Sequence, residues 1–168
     1  MDKIVGLIGC GRWGTIHLST LLSMKEQGLI SKVVVCDTDP KKIKNLSQKV
    51  DRIYSDFFQM IEENTFDLVA IATPPSTHVE IAEPLLQRGI KLLVEKPLGQ
   101  SFADLERLTK ASLASSTPFF SGYLLRHHSG FQLLKNRLKS PQHPPLKSLH
   151  FFRHSTRECP KNTDVIRT

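Results

Sequence analysis

Residues 3–14 read Lys3-Ile4-Val5-Gly6-Leu7-Ile8-Gly9-Cys10-Gly11-Arg12-Trp13-Gly14, and the reading of this stretch decides the fold. An apolar run from Ile4 to Ile8 enters a glycine cluster, which predicts a strand, a tight turn and a helix beginning near Arg12. The spacing Gly9-x-Gly11-x-x-Gly14 is the dinucleotide-binding fingerprint. Gly9 permits the turn out of the strand, Gly11 lets a pyrophosphate approach the backbone, and Gly14 lets the helix pack on the strand. The helix N-terminus then presents free N–H groups and partial positive charge to the phosphates. Glycines at this spacing also mark ordinary turns, so the context decides. A second strand, Lys32 to Cys36, ends in Asp37, at the distance where the ribose hydroxyls need a carboxylate.

Outward from this unit the chain alternates. Thr15 to Gln27 has helical apolar spacing and stops at Gly28, and Val33-Val34-Val35-Cys36 is a β-branched run of the kind buried on both faces. Asp39 and Pro40 predict a helix start with Ile43, Leu46 and Val50 on one face. Arg52–Tyr54 reads as a short strand, and Asp56 as the cap of a helix through Ile61. Residues 67–72 form a strand, residues 76–88 a helix that Pro84 should kink or shorten, and residues 91–94 another strand. A helix over 102–114 and a strand over 118–123 follow. The pattern is α/β, a doubly wound parallel sheet.

The last 46 residues differ. A helix over 129–138 with Phe131, Leu134 and Leu138 inward leads through a proline-rich loop to a strand over 146–154 that no helix completes. The expected division is a dinucleotide-binding domain over 1–122 and an incomplete start of a second domain over 123–168. The unpaired edge and wet phenylalanines expected at 146–154 predict self-association as a homo-oligomer, or poor order after about residue 140.

The net charge of +7 is placed unevenly. Acidic and basic residues balance up to residue 122, whereas residues 123–168 carry nine Lys and Arg against Glu158 and Asp164. There is no interleaving of aromatic and basic residues, which argues against nucleic acid. No apolar run is long enough for a membrane span, and the N-terminus lacks a signal-peptide layout, so a cytoplasmic protein is expected. Cys10, Cys36 and Cys159 lack metal or redox spacing. His127, His128, His150 and His154 have no carboxylate or cysteine to complete a ligand set, so no metal is expected.

Four stretches should lie at the carboxyl ends of the strands: 9–14, Asp37, Ala72-Thr-Pro-Pro-Ser-Thr-His78 and Glu95-Lys96-Pro97-Leu98. Together with Gly122-Tyr-Leu-Leu-Arg126 they resemble the glucose–fructose oxidoreductase / inositol dehydrogenase / rhizopine-catabolism (Gfo/Idh/MocA) family over residues 3–154. The resemblance implies a Rossmann domain that binds NAD(P) and an oxidoreductase acting on a carbinol carbon of a sugar, inositol or related polyol. It implies Lys96 as the catalytic residue beside the nicotinamide. Gly9, Gly11, Arg12, Trp13, Gly14, Asp37, Thr73, Pro74, His78 and Glu95 would contact or frame the cofactor, and Tyr123 and Arg126 would enter the substrate cleft. Asp37 favours NAD over NADP, although Lys41 or Lys42 could reach a phosphate. Members of the family are about twice this length and carry acid/base partners of the lysine in a second domain. The alternative is therefore a nucleotide-binding module without turnover.

Overall fold

The computed structural model describes residues 2–140, 144, 147, 148 and 150. The chain divides into two units, Met1–Leu124 and one that begins at Leu125. The first is a six-stranded sheet. It comprises β1 (Ile4–Ile8), β2 (Lys32–Cys36), β3 (Arg52–Tyr54), β4 (Leu68–Ile71), β5 (Lys91–Val94) and β6 (Phe119–Ser121). All pairings are parallel and the order is β3-β2-β1-β4-β5-β6. The order reverses between β1 and β4, so the carboxyl ends of those strands open the crevice where doubly wound sheets bind ligands.

Strand periodicity sorts the core into two layers. Val5, Leu7, Val33, Val35 and Ala70 face one way and pack with Leu18 and Leu21 of α1 (Arg12–Glu26) and Ile43 of α2 (Pro40–Ile43). Ile8, Val34, Cys36, Val69, Ile71, Leu92 and Val94 face the other way. They pack against α3 (Phe57–Glu63), α4 (His78–Gln87) and α5 (Phe102–Ser115). Residues one apart on a strand thus serve opposite layers, which is why β2 tolerates no polar residue between Val33 and Cys36. Gly6 interrupts β1 because Met60 of α3 fills its space: a Cβ there would come within 2.6 Å of the Met60 methyl.

The expected helix after Asp39 is cut short. Asp39 does cap it, accepting from Lys41 N–H, but α2 ends at Ile43. Asn45 and Ser47 favour turns over helix interiors, and successive turns deliver Val50 to the core instead. Pro84 neither breaks nor ends α4, which a 3-10 turn, Pro75–Thr77, precedes. The carbonyl deprived of its donor is that of Glu80, a water-exposed position. Asp56 caps α3 through Phe58 N–H as expected, and Ser101 with Asp104 forms a reciprocal cap on α5.

A 3-10 turn, Leu124–His127, begins on the last residue of the first unit, and α6 (Ser129–Leu138) follows in the second, its N-terminus capped by His128 accepting from Gly130 N–H. Leu134 and Leu138 are half-buried, but Phe131 is exposed, so only two of the three residues expected inward are covered. The expected strand over 146–154 falls almost wholly outside the described residues. Among the described residues no helix is long and apolar enough to cross a membrane.

Candidate dinucleotide site

The turn after β1 is shaped by contacts at two glycines. Gly9 has φ +94°, and a Cβ there would lie 2.7 Å from the Ala72 carbonyl. A Cβ on Gly14 would lie 1.9 Å from the Gly9 carbonyl oxygen, so α1 rests directly on the turn. Gly11 is different: its φ is −72° and a Cβ would meet nothing within 4 Å. The space above Gly11 is open, and as N-cap of α1 it offers no side chain to the first-turn N–H groups. This is the cradle an incoming pyrophosphate requires, so the residues present fit a dinucleotide.

A cleft of about 700 Å³ runs along these strand ends, and Gly9, Gly11, Arg12, Trp13, Asp37, Thr73 and Pro74 all line it. Asp37 is buried and tied to the glycine turn, its Oδ2 accepting from Cys10 N–H at 2.7 Å and its Oδ1 from Asp39 N–H at 2.9 Å. Lys42, also lining the cleft, places Nζ 3.6 Å from Asp37 Oδ1. The thiols of Cys10, beside the cleft, and of Cys36, which lines it, are buried and free. Burial pushes them up to about 11 and about 12 respectively, far from the thiolate form that reacts or binds metal.

Glu95 and His78 brace the site and do not line it. The Glu95 carboxylate is buried, with Oε1 2.8 Å from His17 Nε2 and Oε2 accepting from Lys96 N–H at 3.1 Å. Gly122 presses on the same carboxylate, since a Cβ there would lie 3.0 Å from it. His78 is fully buried, with Nδ1 2.8 Å from the Pro97 carbonyl and Nε2 2.9 Å from the Thr73 carbonyl. It ties the loop after β4 to the Lys96–Pro97 turn, whose peptide bond is cis. Lys96 itself is exposed, with Nζ 5.9 Å from the centre of the Trp13 ring.

Tyr123 is exposed at the end of β6 in the first unit. Arg126 is exposed in the second, and its carbonyl accepts from Gln132 Nε2. His17 was not anticipated from sequence. Its signal is the continuation Gly14-x-x-His17, which places it one turn beyond Gly14 on the same face of α1.

By fold and cleft the first unit is a Rossmann-type dinucleotide-binding domain. Residues 3–123 match the Gfo/Idh/MocA model, described as the oxidoreductase family with an NAD-binding Rossmann fold, and the chain belongs to that family. It is similar to the myo-inositol 2-dehydrogenase of Thermotoga maritima, 26% identical over 166 residues, which are 97% of this chain and 48% of the relative. The rhizopine catabolism protein MocA of Rhizobium meliloti is 27% identical over 81% of this chain and 42% of its own length. Among solved structures, myo-inositol 2-dehydrogenase from Lactobacillus plantarum aligns with a TM-score of 0.73 at 25% identity, over 81% of this chain and 40% of that one. The scyllo-inositol dehydrogenase of Lactobacillus casei, solved with NAD(H) and scyllo-inositol, shares the fold with a TM-score of 0.74 at 21% identity, over 81% of this chain and 40% of that one. The chain thus spans less than half the length of these relatives.

Proposed function

We propose that this chain binds NAD across the carboxyl ends of β1, β2 and β4. With Lys96 it would serve an oxidoreductase that moves a hydride to or from a carbinol carbon of a sugar, inositol or related polyol. The observation that carries the reading is that the open glycine cradle and the buried Asp37 share one cleft. The braced Glu95-Lys96 turn, outside that cleft's lining, follows β5 at the same edge of the sheet, with Lys96 Nζ 5.9 Å from the Trp13 ring. Gly11 and the first turn of α1 take the pyrophosphate, with Arg12 and Trp13 beside it, and Asp37 takes the ribose hydroxyls. Thr73 and Pro74 form the wall on which the nicotinamide packs. Glu95 and His78 belong to the cofactor site by holding its loops.

Oxidation of a carbinol removes a hydride from carbon and a proton from oxygen. NAD, when bound, takes the hydride. Lys96 Nζ, as an ammonium, would donate to the oxygen as its negative charge develops, while the hydroxyl proton would pass to an acid/base partner from a second domain or to water. A donor fixed at that place lowers the barrier without reorganising at the moment of reaction. Tyr123 and Arg126 are assigned to the polyol, the guanidinium offering forked donors to adjacent hydroxyls. In this reading residues 1–122 form the cofactor domain, 123–168 begin the substrate domain, and the protein works in the cytoplasm.

The test uses Trp13, the chain's sole tryptophan, whose place in the cleft makes its emission a reporter of nucleotide. The chain should quench on adding NADH, bind NAD more tightly than NADP, and oxidise at least one member of a sugar and inositol panel. Lys96→Met should lose that turnover far more than it loses affinity. Binding without turnover on the whole panel would establish the alternative, a dinucleotide-binding module. Tighter binding of NADP would overturn the role given to Asp37.

A further inference from the structure

The ribose end of the cleft holds a pair of opposite charges where a simple NAD site needs one. Asp37 meets the cleft with a carboxylate already fixed by two backbone N–H donors. A carboxylate oxygen has two acceptor sites, so capacity remains for ribose hydroxyls. Such a carboxylate standing alone repels a 2′-phosphate. It does not stand alone: Lys42 Nζ lies 3.6 Å from Oδ1 while its side chain stays 44% exposed. That distance is too long for a strong hydrogen bond, so the ammonium offsets part of the carboxylate's charge without being locked to it. An ammonium on a flexible four-carbon stem can turn from the carboxylate to a phosphate oxygen without moving the backbone.

Lys41, its neighbour in sequence, is placed elsewhere. Its side chain lines a separate shallow depression with Pro40, Ile43, Lys44 and Ile53. The two lysines that sequence alone left equivalent are therefore distinct, and only Lys42 shares the cleft with Asp37 and Thr38.

We propose that Lys42 is the residue that sets the choice between the two cofactors, and that it lets this site accept NADP as a second ligand behind NAD. The inference rests on the dinucleotide reading. It is tested by titrating NADH and NADPH into the wild-type chain, Lys42→Met, Lys42→Arg and Lys41→Met, following Trp13 emission. Wild type should bind NADPH measurably, though less tightly than NADH, and added salt should weaken NADPH more than NADH. Lys42→Met should raise the ratio of NADH to NADPH affinity by about tenfold or more, the worth of one charge-assisted contact to phosphate. Lys42→Arg should restore the wild-type ratio and Lys41→Met should leave it alone. Thermal melts identify any variant that has lost its fold, and Lys42→Gln, which also removes the charge and should shift the ratio in the same direction, then replaces Lys42→Met. An unaltered ratio in Lys42→Met, or NADPH that fails to bind where NADH binds, overturns the inference and leaves the NAD site standing. Failure of both nucleotides to bind wild type overturns the NAD site itself and this inference with it.

Discussion

Two glycines of one motif should fail in opposite ways. In Gly14→Ala the new methyl would sit 1.9 Å from the Gly9 carbonyl oxygen and 2.7 Å from its carbon. Both are backbone atoms of a turn that Ala72 confines from the other side, so the strain cannot be relieved by rotating a side chain. Overpacking costs ~1–3 kcal/mol where neighbours can yield, and this contact lies at or beyond the upper end. In Gly11→Ala the methyl meets no protein atom within 4 Å and the φ of −72° suits alanine. Reduced freedom of the unfolded chain contributes ~0.4–1 kcal/mol of stability, and alanine loses a comparable amount as a poorer N-cap. The melting temperature should therefore stay within about 4 °C of wild type. The same methyl occupies the approach of the pyrophosphate, where a clash of ~1–3 kcal/mol weakens binding roughly 5- to 150-fold. Thermal melts without nucleotide, paired with NADH titrations followed by Trp13 emission, read both effects. Gly11→Ala binding NADH as wild type does, or Gly14→Ala melting at the wild-type temperature, would refute the geometry.

Two further outcomes follow from contacts to carboxylates. His17→Ala takes the His17 Nε2 contact from the buried Glu95 carboxylate, which keeps the Lys96 N–H, and should cost ~1–3 kcal/mol, the penalty of a lost hydrogen bond to a buried charged group; an unchanged urea midpoint would show that the contact contributes nothing. Asp51 accepts from Lys25 Nζ at 2.6 Å and from Val33 N–H at 2.8 Å, and although partial burial pushes its carboxyl up, these bonds outweigh it and hold it below the usual carboxylate range. A group whose pKa is depressed by folding adds stability above its unfolded value, and that stability is lost as pH falls through the folded one. Wild type should thus lose stability more steeply than Asp51→Asn as pH drops below about 4, and parallel curves would exclude the pair as the cause.

What sequence made legible was local chemistry. The glycine turn, Asp37 at the end of β2 and the caps at Asp39 and Asp56 each depend on residues a few positions apart, so spacing alone exposes them. The run of α2 was misjudged because Ile43, Leu46 and Val50 keep a helical period that the chain satisfies with turns, burying Val50 by another route. The bracing of the site was illegible for a different reason. His17 and Glu95 are 78 residues apart, and His78 and Pro97 are 19 apart. Spacing puts His17 on the face of α1 that carries Gly14, but it does not state which side chain either histidine will meet. A polar residue on a helix face reads as solvated until the sheet places a carboxylate or a carbonyl against it.

That bracing explains why the cofactor cradle and the lysine belong to one rigid object. Hydride transfer tolerates misplacement of the reacting groups by no more than about an ångström, so a lysine on a loop needs its loop held. Glu95 holds it twice, to α1 through His17 and to its own turn through the Lys96 N–H, while Gly122 closes over the carboxylate with no side chain to displace it. His78 holds the other end of the turn to the loop that carries Thr73 and Pro74. The helix assigned to the pyrophosphate, the loop assigned to the nicotinamide and the turn that presents Lys96 are therefore fixed to one another by buried polar contacts. Each of those contacts would be costly to leave unmade once buried. Substitutions at His17, His78 or Gly122 should consequently act on the placement of Lys96 although none of the three lines the cleft.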